Sequence, residues 1–305
     1  MFKRFTILLL IALFAATISL RAQEDEEKKK DKEKEDEEFF WERWGKSKLF
    51  IWELHGNPFI ELNYGLSKTD QKNFNAGFNT IGLAEAKFGY RNINEGREDF
   101  LLDMNEDYLY LSMMKKDFTS EKQKIGKWNA EFLRFGFASN DAIGYKIGAF
   151  AIFPYEGSGF GWTSLRSVEF NGVRTMQVTP DDRFLGMIGD SFRFGRTIEG
   201  GVKFELASTV SVNAGYEAAV VFPRHMFWYW AGSAIIEEAG MGIVDHFTHK
   251  IERSSPAASP IVNFILKNAY SYAFYLLKKD RMNWPFETEA PLTIESFKIG
   301  VTFTF

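Results

Sequence analysis

Cysteine is absent from all 305 residues. That excludes a disulfide framework, a thiolate nucleophile and lipid attachment through a cysteine. Histidine is scarce, at four residues, and proline amounts to eight. Positive charge is not in excess either: 37 basic residues face 41 acidic ones, for a net charge of −4. Nucleic-acid binding needs a basic footprint, which this chain does not offer. Mean hydropathy is −0.23, so long apolar helices are missing as well.

Aromatic side chains, by contrast, are abundant: 17% of residues, with 32 Phe, 11 Tyr and 8 Trp. Aromatic richness without apolar helices is what a membrane barrel produces, because its strands are apolar on one face only and aromatic girdles mark both interfaces.

The N-terminal stretch "MFKRFTILLLIALFAATISLRAQ" has a basic start, an apolar run from Ile7 to Leu20 and small residues near Ala22. This layout predicts a secretory signal peptide over residues 1–22. Residues 24–38, "EDEEKKKDKEKEDEE", contain nothing apolar, so 23–45 is expected to be a solvated, disordered tail. "FFWERWGKSK" then suits either an interfacial turn or a strand lead-in.

From Pro58 onward, alternating segments recur. Ile60, Leu62, Tyr64 and Leu66 share a face opposite Glu61, Asn63 and Gly65, and Ala84, Ala86, Phe88 and Tyr90 oppose Glu85, Lys87, Gly89 and Arg91. Further strands are expected over 107–114, 128–138 (with a face switch near Leu133), 142–153, 196–206, 209–220 and 297–305. The last of these, "FKIGVTFTF", alternates without exception. A soluble sandwich would also alternate, but its polar face would be strongly charged toward water. Here that face is rich in Gly, Ser, Thr and Asn, with Glu61, Glu85, Lys87, Arg91, Lys146, Lys203, Glu205 and Lys298 interspersed. Small residues with charges of both signs suit the cramped interior of an eight-stranded barrel. Lys146 and Lys203 are the candidate determinants of selectivity if that interior conducts.

These strands, together with "GGVKFELASTVSVNAGYE" (200–217), resemble those of bacterial outer-membrane β-barrels. "FKIGVTFTF", with Phe297, Phe303 and Phe305, is similar to the assembly signal that the family presents to the barrel-insertion machinery. The resemblance covers most of residues 50–222 and 292–305. It implies an all-β transmembrane barrel in the outer membrane of a Gram-negative bacterium, with lipid and the insertion machinery as partners. It also implies termini and short turns in the periplasm and longer loops outside. On that topology "AST" (207–209) and "SND" (139–141) are periplasmic turns, residues 154–190 are an outer loop, and 92–106 is too long for its turn. Eight antiparallel strands are expected, or ten if two more lie within 154–190.

Residues 223–291 do not alternate. Two helices are expected, separated at "SSPAASP", the second capped by Ser259 with Pro260 first. Glu237 and Glu238 interrupt the first helix and Lys267 and Asn268 the second, so neither reads as a membrane span. The resulting hairpin is expected to lie extracellularly or to plug the barrel, with Trp228 and Trp230 available to an extracellular partner. Asp245, His246 and His249 form a weak metal constellation, since helical histidines are more often structural. Outer-membrane lipid hydrolases resemble this chain in architecture, yet their His-x-Ser-Asn pattern is unmatched, His55 being followed by "GNP". The chain is read as a non-enzyme without cofactor, with an interaction or envelope-structural role carried by the insert. The alternatives are porin-like transport with the insert as plug, and a lipid-active enzyme.

Overall fold

The computed structural model describes residues 56–173, 179–189 and 191–305. The expected signal peptide, the charged tail, the aromatic lead-in and His55 lie outside the described residues.

Eight strands close into a barrel in sequence order, every neighbour antiparallel: β1 (Asn57–Gln71), β2 (Ile81–Glu95), β3 (Leu101–Lys115), β4 (Lys127–Ile147), β5 (Phe150–Asn171), β6 (Phe192–Ala207), β7 (Val210–Val221) and β8 (Leu292–Thr304). Closure pairs β1 with β8 from Phe59↔Thr304 to Gln71↔Leu292. A closed sheet leaves no edge, so every strand satisfies its backbone on both sides, as a bilayer requires.

The strand total matches the eight expected, but β4 and β5 differ from their predicted bounds. Ser139, Asn140 and Asp141 do not turn; they lie in the middle of β4, paired with Ser158, Gly157 and Glu156. The chain reverses instead at Gly148, whose φ of +64° is left-handed backbone that glycine adopts without strain. Much of the predicted outer loop 154–190 is therefore β5. The long segment 92–106 also resolves, because β2 runs on to Glu95 and β3 begins at Leu101. Short turns thus gather at one rim, together with the start of β1 and the end of β8, and longer connections gather at the other. The apparent face switch at Leu133 does not exist: Phe132 and Arg134 are both buried inside, and the ladder irregularity lies between Glu131 and Phe132.

Among the described residues, three α-helices lie in two of the long connections: α1 (Pro180–Ile188) between β5 and β6, then α2 (Phe227–Ser254) and α3 (Ser259–Asp280) between β7 and β8. The Thr179 hydroxyl and the Asp182 carboxylate cap α1 reciprocally. Ser259 is the first residue of α3 rather than its cap, and its hydroxyl donates to the Pro256 carbonyl at 2.8 Å.

Candidate functional site

The alternation of β1 sorts its residues by environment. Phe59, Glu61, Asn63 and Ser67 are buried, while Leu62, Tyr64 and Leu66 are exposed. On β8, Lys298 and Thr302 are buried while Phe297, Ile299, Val301 and Phe303 are exposed. Charges inside and large apolar groups outside are the reverse of a water-soluble domain. Such a wall suits lipid.

The buried charges meet across the lumen. Lys298 Nζ lies 2.7 Å from Glu85, 3.0 Å from Glu199 and 2.8 Å from Glu217. Arg134 Nη1 reaches Glu217 at 2.6 Å. Lys87 bridges Glu199 and Glu61, each at 3.1 Å. Lys203 joins Glu61 at 2.8 Å to Glu106 at 2.6 Å, and Arg91 Nη2 reaches Glu106 at 2.6 Å. Five carboxylates and five cations thereby form one connected, electrically balanced network. Burial of any one charge alone would be prohibitive, and the pairing is what makes the interior tolerable. Neutral donors complete it: the Tyr155 hydroxyl donates to Glu199 at 2.7 Å and the Thr302 hydroxyl to Glu61 at 2.7 Å. Between Glu85, Lys87, Tyr108, Tyr110, Glu199 and Lys298 a space of ≈ 10 Å³ is left, enough for about one water.

Apolar layers lie on either side of the network. Toward the long loops, Phe78, Leu83, Met114, Trp128, Phe132 and Ile294 fill the lumen, and Leu185 and Ile188 of α1 pack onto them. Phe74 stacks on Phe78 at 4.7 Å and meets Phe184 of α1 edge-on. The Asp181 carboxylate accepts from the backbone N–H of Asn75 and Ala76, pinning α1 to the β1–β2 loop. Toward the short turns, Met104, Phe153 and Tyr155 form a second apolar layer.

Of the predicted lumen charges, Glu85, Lys87, Arg91, Lys203 and Lys298 belong to the network. Lys146 and Glu205 do not. The Lys146 side chain is 45% exposed and sits 3.8 Å from Glu95 near the short-turn rim. Glu205 lies half-buried near the same rim. Both have inward parity but lie too close to the strand ends to be enclosed. Glu106, Arg134, Glu199 and Glu217 were missed as site residues, although Glu199 and Glu217 lie on the polar faces of their segments.

The helical hairpin does not plug the barrel. It lies against the outside wall. Ala218, Val220 and Phe222 of the outer face are buried by Tyr275, Leu276, Trp230 and Met282. Trp230 meets Phe160 and Phe194 edge-on at 6.1 and 5.7 Å. Arg196 on the outer face of β6 reaches Glu237 of α2 at 2.6 Å, and Lys278 of α3 reaches the same carboxylate at 2.6 Å. Lower on the wall, the Asn268 amide donates to the Tyr155 carbonyl at 3.3 Å. The two helices approach closely where the Tyr270 hydroxyl donates to the Glu237 carbonyl at 2.8 Å beside Gly240, whose bare backbone leaves room for the ring. The plug position in the loop-side mouth belongs to α1.

Trp228 is 82% exposed at the start of α2, whereas Trp230 packs against the wall. The metal candidates each have other partners. Asp245 pairs with Lys267 at 2.8 Å, and His249 faces Glu252 at 3.6 Å. Among the described residues, no group of three or more His, Asp or Glu could hold a metal ion. Phe297, Phe303 and Phe305 all stand exposed on the outer belt.

No family model matches the chain, and no curated protein does. Among solved structures it is similar to Neisserial surface protein A, at 9% identity and a TM-score of 0.38, covering 82% of this chain and 100% of that one. It is also similar to Ail, the attachment invasion locus protein of Yersinia pestis, at 7% identity and 0.29 over 82% and 99%. The outer membrane protein OprG of Pseudomonas aeruginosa follows at 10% identity and 0.27 over 82% and 96%. These likenesses are too distant to assign a role, and the closed eight-stranded barrel stands on its own strand pairing.

Proposed function

We propose that this chain is a closed bacterial outer-membrane barrel with an interaction or envelope-structural role carried by its helical insert, rather than a porin. The observation that carries this reading is the lumen network: ten charged side chains paired across the barrel, with a space for about one water between Lys87, Tyr108 and Lys298. A solute would have to break several buried pairs at once, at about 3–5 kcal/mol for each uncompensated charge. The apolar layer under α1 adds a second barrier at the mouth. Both elements hold the barrel rigid and silent, which suits a scaffold for a surface that others meet.

The test is conductance of the refolded protein in a planar bilayer, with and without residues 225–283, the heat-modifiable gel shift of a folded barrel being checked for each. The scaffold reading expects no openings in either form. Discrete openings of the intact protein would refute it and favour transport.

A further inference from the structure

The hairpin has its polarity turned inward. The residues of α2 and α3 buried against the wall and each other include Ser233, Glu237, Thr248, Asn263, Lys267 and Lys278. The large side chains exposed along their middle are Ile235, Ile236, Ile243, Ile261, Ile265 and Tyr272. A helix exposed to water buries its apolar stripe and shows its charges. These two do the opposite, as the strands around them do.

We infer that the hairpin is a membrane-embedded part of the wall, and that its outward face is covered by the acyl chains of the bilayer.

The covered strip of barrel supports this. Away from the hairpin the outward residues are large and apolar: Leu62, Leu66, Phe88, Leu109, Leu111, Phe297 and Ile299. Under the hairpin they include Glu156, Arg196, Gly200, Ala214 and Ala218. A charge on the lipid face of a barrel costs about 2–4 kcal/mol at the midplane. Glu156 and Arg196 are instead met by Lys267, at 3.7 Å, and by Glu237. The charges that interrupt each helix as an isolated span are matched to charges on the wall. Averaged around its whole circumference, no described helix is apolar enough to cross a membrane. That average counts Glu237 and Lys267, which never meet lipid here; Glu238, half-buried beside them, is also engaged.

Dimensions agree. The 28 residues of α2 and the 22 of α3 correspond to about 42 and 33 Å, against about 30 Å of hydrocarbon. The hairpin runs the height of the wall. At the loop rim Asp280 pairs with Lys72 at 2.9 Å, and at the short-turn rim the Tyr145 hydroxyl donates to the Ala257 carbonyl at 2.6 Å. Its two ends carry interfacial residues: Phe227, Trp228 and Tyr229 exposed at one, Lys250 and Arg253 at the other. The outward face is thus continuous with the lipid-facing belt.

The inference rests on the membrane reading of the barrel, and the test separates the two. Because the chain has no cysteine, single substitutions Ile243→Cys, Ile265→Cys, Leu111→Cys and Ile125→Cys can each carry one nitroxide label. Power saturation in phospholipid bilayers then compares collisions with oxygen, enriched in hydrocarbon, and with a neutral nickel chelate, enriched in water. Labels at 243 and 265 are expected to behave like the label at 111, with oxygen dominant, while the loop label at 125 shows the chelate dominant. Chelate-dominant relaxation at 243 and 265 with 111 still in lipid would overturn the inference and leave the barrel reading standing. Low collision with both reagents would also overturn it, because a protein partner or second copy would then cover the face. Chelate dominance at 111 would instead sink the membrane reading itself.

Discussion

Asn268 fits into a gap that Gly200 leaves in the barrel's outer wall. A Cβ built on Gly200 would stand 2.8 Å from Asn268 Cγ and would overlap the amide oxygen. The same amide donates to the Tyr155 carbonyl of the neighbouring strand and to Phe264 within its own helix. A helix seats this closely only where the wall lacks a side chain, so the pair sets where α3 docks.

Gly200→Val should therefore displace the hairpin while sparing the barrel, since the added side chain would point away from the lumen. Limited proteolysis in bilayers should cut within 223–291 of the variant, and the heat-modifiable gel shift should persist. An uncut hairpin would show that the notch does not position α3.

Lys298 is the centre of the lumen network, with three carboxylates within 3.0 Å. Lys298→Met strands negative charge among Glu85, Glu199 and Glu217, and should cost about 3–5 kcal/mol of stability. Denaturant unfolding in lipid, followed by tryptophan fluorescence, measures this. Adding Glu85→Gln, whose cationic partner is Lys298, should recover part of the loss, because contacting residues couple by about 0.5–3 kcal/mol.

The lid and the network are separate barriers. Leu185 of α1 is buried against the apolar layer, so Leu185→Ala should cost about 2–5 kcal/mol in the same unfolding measurement. It should not raise conductance, since the ion pairs below are untouched. Openings in this variant would assign the closure to the lid instead.

Much of the fold is readable from period two. Around the charged layer the faces of β1, β2, β6, β7 and β8 follow it, and that alternation is what singles out Glu85, Lys87, Arg91, Lys203 and Lys298. Where the interior changes character along one strand, the pattern misleads. Trp128, Ala130 and Phe132 point into the apolar layer and Arg134 into the charged one, so one continuous face reads as a switch. Ser-Asn-Asp has turn chemistry, yet Asn140 is an interior donor to Glu106 at 3.0 Å, and the turn falls to Gly148. The hairpin's position is hidden for a different reason. Its charges look like solvated groups until their partners Glu156 and Arg196, distant in sequence, are brought beneath them.

The most direct test of this architecture is the position of the hairpin tip. Tyr145→Cys and Ala257→Cys, introduced together into the cysteine-free chain, place one thiol near the short-turn rim and one at the tip, residues now joined by a 2.6 Å hydrogen bond. A short bis-maleimide added to the folded protein in bilayers should join them, giving a gel-shifted species that forms with neither single variant. If that crosslink fails although a monofunctional maleimide labels both thiols in the folded protein, the tip does not lie at the short-turn rim, and the docked arrangement is contradicted.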